Sequence, residues 1–258
     1  MQAWIGRVAA VALALGGLPG QATPIYAIRV NGDMLFYQHT GDADGSATWL
    51  IQAAKIGNGW NFRQVFAGDG GTIYAIRHNG DLLCYKHAGA QDGSASWPIE
   101  AKKVGNGWNF RQVFAGRRGA IYAIDDQGNM LFYKHAGYGN CTPTWSIQAA
   151  RIGNGWNFRQ VFAGDQGIIY AVRPNGDLLC YKHAGSTDGT ASWPIQAVKV
   201  GNGWNFRQVF AGRNGAIYAI SSNGDMLFYR HGGYDTCSTT WPIQAAAIGN
   251  GWDFRTVF

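Results

Sequence analysis

Five stretches of this chain repeat, in one order, the residue types that hold a hydroxylated ligand without altering it. In each copy a histidine opens a loop and an acid or amide follows five residues later; a tryptophan and then a Gly-Asn-Gly-Trp turn come after it. The loop position holds Asp44, Asp92, Asn140 and Asp188, with Thr236 in the fifth copy. The tryptophans after it are Trp49, Trp97, Trp145, Trp193 and Trp241. The turns supply Asn58, Asn106, Asn154, Asn202 and Asn250, followed by Trp60, Trp108, Trp156, Trp204 and Trp252. Carboxylates and amides exchange hydrogen bonds with sugar hydroxyls, and an indole face stacks on the apolar face of a pyranose. The same residues also suit plain structure. Tryptophans fill seams between packed sheets, and Asp-Gly is an ordinary turn former.

Catalysis needs a different pattern. Glycoside hydrolysis uses two carboxylates in unlike environments, whereas the acids here recur symmetrically in turns and Glu100 is the only glutamate. There is no Gly-x-Ser-x-Gly elbow and no Walker loop. His39, His87, His135, His183 and His231 occur once per copy, without a second ligand at zinc spacing. They read as hydrogen-bonded strand ends. Asp33, Asp81, Asp177 and Asp225 belong to hairpin turns, and Arg63 with its equivalents braces a strand or its neighbour. The expectation is a protein that is not an enzyme and uses no metal or other cofactor.

The formal charge is +6 over 258 residues, spread across the copies rather than gathered in a stripe. That argues against nucleic acid as a partner and leaves a mild attraction to acidic glycans. At the start, Arg7 precedes the apolar run Val8 to Leu15, with small residues before a cleavage point after Ala22. Residues 1–22 therefore read as a secretory signal peptide, and the mature protein as extracellular. No other segment is apolar enough for membrane insertion.

The elements that position these residues follow from the spacing. The Ile/Val-Gly-Asn-Gly-Trp stretch begins at Ile56, Val104, Ile152, Val200 and Ile248, a constant period of 48 residues. A fixed period of this size marks an array of one supersecondary unit. In the second copy, Trp60 to Phe66 reads as one strand and Ile73 to Arg77 as the next. The Asn79-Gly80 hairpin leads to Leu82 to His87, and Ser96 to Ile99 reads as the fourth strand. Lys103 to Gly107 then turns into the next copy. Four strands per unit is a propeller blade. Residues 23–258 begin on a second strand and end on a first strand, Trp252 to Phe258. Pairing these ends completes a fifth blade, so the fold class is an all-β, five-bladed β-propeller closed by its termini, most simply a monomer.

Cys84 and Cys180 stand where other copies have Phe36, Phe132 and Phe228, and Cys141 and Cys237 where others have Gly45, Gly93 and Gly189. Equivalent positions two units apart lie too far for a disulfide. Of the remaining pairings, only Cys84–Cys141 with Cys180–Cys237 gives both bridges one environment. In an oxidising compartment these two bridges are expected; free thiols are the alternative.

The stretch Ile-Gly-Asn-Gly-Trp-x-Phe-Arg-x-Val-Phe, followed by Ile-Tyr-Ala-Ile and an aspartate-bearing loop before Trp, resembles the tachylectin type of five-bladed propeller lectin. The resemblance runs from Pro24 to Phe258. It implies a secreted, multivalent lectin for N-acetylglucosamine or N-acetylgalactosamine, with one metal-free site per seam between blades. It points to the loop aspartates, the tryptophans after them and the Gly-Asn-Gly-Trp turns. The third and fifth copies depart from the pattern at Asn140 and Thr236. Partners would be glycans of glycoproteins or cell surfaces. The rival readings are a propeller used as a protein-interaction scaffold and, further off, a glycosidase.

Overall fold

The computed structural model describes residues 22–258; apart from Ala22, the expected signal peptide lies outside the described residues. The first three strands are β1 (Thr23–Ile28), β2 (Met34–His39) and β3 (Trp49–Gly57). The second blade is β4 (Gln64–Ala67), β5 (Thr72–Ile76), β6 (Leu82–Lys86) and β7 (Ile99–Gly105). The third is β8 (Gln112–Ala115), β9 (Ala120–Ile124), β10 (Met130–His135) and β11 (Trp145–Gly153). The fourth is β12 (Gln160–Ala163), β13 (Ile168–Val172), β14 (Leu178–Lys182) and β15 (Ile195–Gly201). The fifth is β16 (Gln208–Ala211), β17 (Ala216–Ile220), β18 (Met226–Arg230) and β19 (Ile243–Gly249). The last strand, β20 (Thr256–Val257), pairs antiparallel with β1, so the first blade has the order β20-β1-β2-β3. Five four-stranded antiparallel sheets result, and the ring closes through both ends of the described chain.

Two strand limits differ from the sequence reading, each for a physical reason. The innermost strand starts at Gln64 rather than Trp60, because the Trp60 N–H donates to Gly32 O of the preceding hairpin. The outer strand runs on through Lys103-Val104-Gly105, residues expected to turn. Its start depends on proline. Pro98, Pro194 and Pro242 have no N–H to give the ladder, so β7, β15 and β19 begin one residue after them. Leu50 and Ser146 stand at that position in β3 and β11, which begin at the preceding tryptophan and are nine residues long.

Closure leaves the five outer strands as edges, and their residues are mostly exposed. Each carries a register shift and one alanine with positive φ: Ala53, Ala101, Ala149, Ala197 and Ala245. Bulges of this kind spoil an edge as a template for another strand.

The core is divided among the seams. One cluster joins Tyr74, Leu82, Cys84 and Val104 of the second blade to Val113, Ile121 and Cys141 of the third. Four similar clusters fill the other seams. Polar bonds lock neighbours in register. Arg63, Arg111, Arg159, Arg207 and Arg255 each donate to a tryptophan carbonyl of the following blade, and Arg255 to Trp60 O closes the circle. Near the axis Gln64 Oε1 accepts from Val113 N–H at 3.0 Å, and Gln112 and Gln208 repeat this bond. Thr256 replaces the glutamine in the closing strand.

Both expected bridges are present: Cys84–Cys141 and Cys180–Cys237, each with Cα atoms 5.6 Å apart. Cys141 and Cys237 adopt φ of 54° and 55°, the left-handed region occupied at the equivalent point by Gly93. This explains why only glycine or a covalently held residue stands there.

Candidate functional site

The seam between the first and second blades serves as the specimen. The outer strand of one blade leans toward the loop and outer strand of the next. Trp97 Nε1–H donates to Ile56 O at 2.7 Å, tying the loop end to the preceding blade. Trp49, Trp145, Trp193 and Trp241 make the same bond to Ile248, Val104, Ile152 and Val200. Gly93 rests on β3, where a Cβ would meet Ile51 Cγ2 at 3.0 Å. The seam therefore gathers Asp92 and Trp97 of one blade with Asn58 and Trp60 from the turn leaving the other. By the same rule Asp44 and Trp49 share a seam with Asn250 and Trp252. Asn140 and Trp145 share one with Asn106 and Trp108, and Asp188 and Trp193 with Asn154 and Trp156. In the last, Trp241 meets Asn202 and Trp204.

The two tryptophan sets have different surroundings. Trp60, Trp108, Trp156, Trp204 and Trp252 are 4–5% exposed. The Trp60 ring is flanked by Tyr85 at 4.6 Å and Trp97 at 5.5 Å between centroids. With both neighbours in place, no whole face is left for a sugar. The other set is half-buried, fixed through its N–H and packed on a histidine, as with Trp97 on His87 at 4.8 Å. The turn glycines fit this packing. A Cβ on Gly57 would lie 2.6 Å from Trp60 Nε1, and Gly59 has φ of 71°. The turn thus holds Asn58 outward, and all five turn asparagines are exposed.

In the loop, Asp92 Oδ1 accepts the Ser94 N–H at 2.9 Å. Asp44 and Asp188 bind Ser46 N–H and Thr190 N–H in the same way, and Asn140 accepts from Thr142. The backbone N–H two residues on, with its hydroxyl, holds each aspartate below the usual carboxylate range. These acids are exposed and ionised at neutral pH.

The histidines are structural, as read from the sequence. His87 Nε2–H donates to Ser94 O at 2.9 Å and fixes the loop, while Nδ1 accepts from Tyr26 O–H of the preceding blade at 3.1 Å. A carbonyl can only accept, so Nε2 carries a proton, and burial, which lowers the pKa, keeps the ring neutral at pH 7. All five seams repeat this relay. Burial lowers each histidine pKa, opposed by the bond to the loop carbonyl. Among the described residues no group of three His, Cys, Asp or Glu is placed to hold a metal ion.

Sequence reasoning missed an ionic network at one mouth of the central channel, where Arg117 lies between Asp69 and Asp165. The signal was available: position 69 and its equivalents read Asp, Arg, Asp, Arg at the repeat period.

The sequence pattern of the Tachylectin family matches residues 27–257. Among curated proteins none matches. A solved symmetrical protein, described for its de novo evolutionary emergence under folding constraints, aligns at 22% identity with a TM-score of 0.63. That alignment covers 92% of this chain and 98% of the other, and at this identity it bears on the fold alone. SapL1 lectin in complex with alpha methyl fucoside aligns at 11% identity and TM-score 0.45, over 88% and 76% of the two chains. The six-bladed fucose-recognising lectin of Aleuria aurantia aligns at 14% and 0.42, over 87% and 73%. With most of its length matched by the family pattern, the chain belongs to the Tachylectin family.

Proposed function

We propose that this protein is a secreted, non-enzymatic lectin that binds N-acetylated hexosamines, N-acetylglucosamine or N-acetylgalactosamine, at the seams between its blades. The observation that carries the reading is the repeated grouping at each seam, in a Tachylectin family member, of an exposed turn amide and a half-buried indole. At three seams a loop carboxylate joins them. In this reading the asparagine amide and the ionised aspartate exchange hydrogen bonds with the acetamido group and ring hydroxyls. The Trp97 set offers its free ring surface to the pyranose, and the Trp60 set holds the wall behind it. Equivalent weak sites on one rigid ring give avidity on a clustered glycan without any new contact. Secretion fits the pairing of all four cysteines, since bridges of this kind persist in oxidising compartments.

Titration calorimetry with N-acetylglucosamine and N-acetylgalactosamine tests the reading. Saturable binding at several sites is expected, weakened when the five turn asparagines are changed to alanine together. A folded protein that binds neither sugar overturns it and leaves the interaction scaffold standing.

A further inference from the structure

One seam breaks the fivefold symmetry in a way the carbohydrate reading does not use. Where the two inner strands of each blade join, at one mouth of the channel, Arg117 Nη1 sits 3.0 Å from Asp69 Oδ1. Its Nε is 2.5 Å from Asp165 Oδ1. The other oxygen of each acid accepts a backbone N–H, from Arg118 and from Asn214. Both carboxylates are thus engaged within the protein.

A cavity of 580 Å³ opens beside them between the third and fourth blades, a size that suits a small polar ligand. Its wall carries Arg118 and Lys134 with Ser186 and Thr187. Arg118 is exposed and forms no ion pair among the described residues. Its equivalents are Ala22, Gly70, Gln166 and Asn214, so among the described residues this cation occurs at one seam only. Lys134 Nζ is held by a bond to Ser186 O at 3.2 Å, which leaves two of its protons to give. Partial burial, and then the Arg118 charge, hold the Lys134 pKa below the ordinary lysine value, with Asp69 opposing. Two cations that repel each other, flanked by hydroxyls and with the nearby acids already paired, make a site complementary to an anion.

We propose that this cavity binds the carboxylate or sulfate of an acidic sugar unit, as a further site chemically unlike the five seams. The anion lies between Arg118 and Lys134, and its ring hydroxyls face Ser186 and Thr187. The net charge of +6 draws such polyanions in.

Titration calorimetry with glucuronic acid and with galactose 6-sulfate tests the proposal, with glucose and galactose as neutral controls. One acidic sugar per protein is expected, bound more weakly at high salt. Arg118→Gln and Lys134→Gln each weaken it about tenfold, the worth of one charge-assisted hydrogen bond. The two acids, compared, say whether carboxylate or sulfate is preferred. Binding of N-acetylglucosamine, measured alongside, is unchanged in Arg118→Gln and reports the seam reading separately. Absence of acid binding, a stoichiometry near five, or undiminished affinity in a folded Arg118→Gln protein overturns the proposal.

Discussion

Two kinds of seam make up this ring, alternating along the chain except where the ring closes, where two of one kind adjoin. Three hold a phenylalanine where the other two have a strand cysteine, packed on a histidine of the next blade, and a glycine where they have the loop cysteine: Phe36 and Gly93, Phe132 and Gly189, Phe228 and Gly45. Two are crossed by a disulfide. In the first kind the ring is a wedge, 5.2 Å from Tyr26 and 5.3 Å from His87 in the case of Phe36. The Tyr O–H to His Nδ1 bonds there are 3.1, 3.0 and 3.1 Å. Across the bridged seams the same bond is 2.7 Å in both cases. The tryptophan also lies flatter on its histidine, at 26° and 19°, against 41° for Trp97 on His87. Taking out the wedge lets the seam close and puts the load on a covalent bond. One backbone position has thus been solved by bulk in three seams and by cross-linking in two.

Removing both bridges should have the largest effect. Each closes a separation of 57 residues, and a loop of that length is worth about 4 kcal/mol in the chain-entropy account. Changing all four cysteines to alanine should cost about 8 kcal/mol, read as a shift in the urea midpoint, while reductant should leave the phenylalanine seams intact. A variant that unfolds at the wild-type midpoint would show the bridges to be idle.

Acid is the next lever, because the five seam histidines are neutral and buried. The unfolded chain takes up protons near pH 6.5 and the folded chain does not, since burial depresses each folded pKa. Stability is therefore full above pH 6.5 and falls as pH drops from there to the folded pKa values. The steepest slope is about 1.4 kcal/mol per pH unit for each ring, or about 7 for five. His135 and His231, with the shorter tyrosine bonds, should protonate last. Histidine Hε1 shifts followed by NMR will show the order; any of the five rings titrating at or above 6.5 contradicts the assignment.

The smallest effect should come from converting one seam into the other. Phe36→Cys with Gly93→Cys sets thiols where Cys84 and Cys141 stand in the next seam. Loss of the ring costs about 3–5 kcal/mol and the new bridge returns about 4. Oxidised protein should match wild type within about 1–2 kcal/mol, and only reduction should expose the deficit. Failure of the bridge to form would mean that the two seam types differ in backbone and not just in filling.

Much of this was legible in the sequence because the repeat turns one local pattern into a global constraint. Cys84 and Cys180 at the same phase, two units apart, exclude pairing with each other, and of the pairings left, the one that gives both bridges the same environment is the one observed. Trp60 misled as a strand start, since its N–H is claimed by Gly32 of another hairpin, a contact no local pattern records. The outer strand was read too short because Trp97-Pro98 looked like its body, whereas Pro98 is what delays it.

The period of 48 residues and its four strand patterns were enough to call for a ring of five blades, and the shared phase of the cysteines narrowed the cross-links. Only the tertiary structure decided which tryptophan of each pair is sealed in a seam and which keeps free surface. It alone set Arg117 between Asp69 and Asp165. The physical reason is that periodicity fixes what each residue does within its own blade. Burial and charge pairing at a seam depend on side chains from two blades, about one full repeat apart in sequence, and these meet only when the ring is assembled.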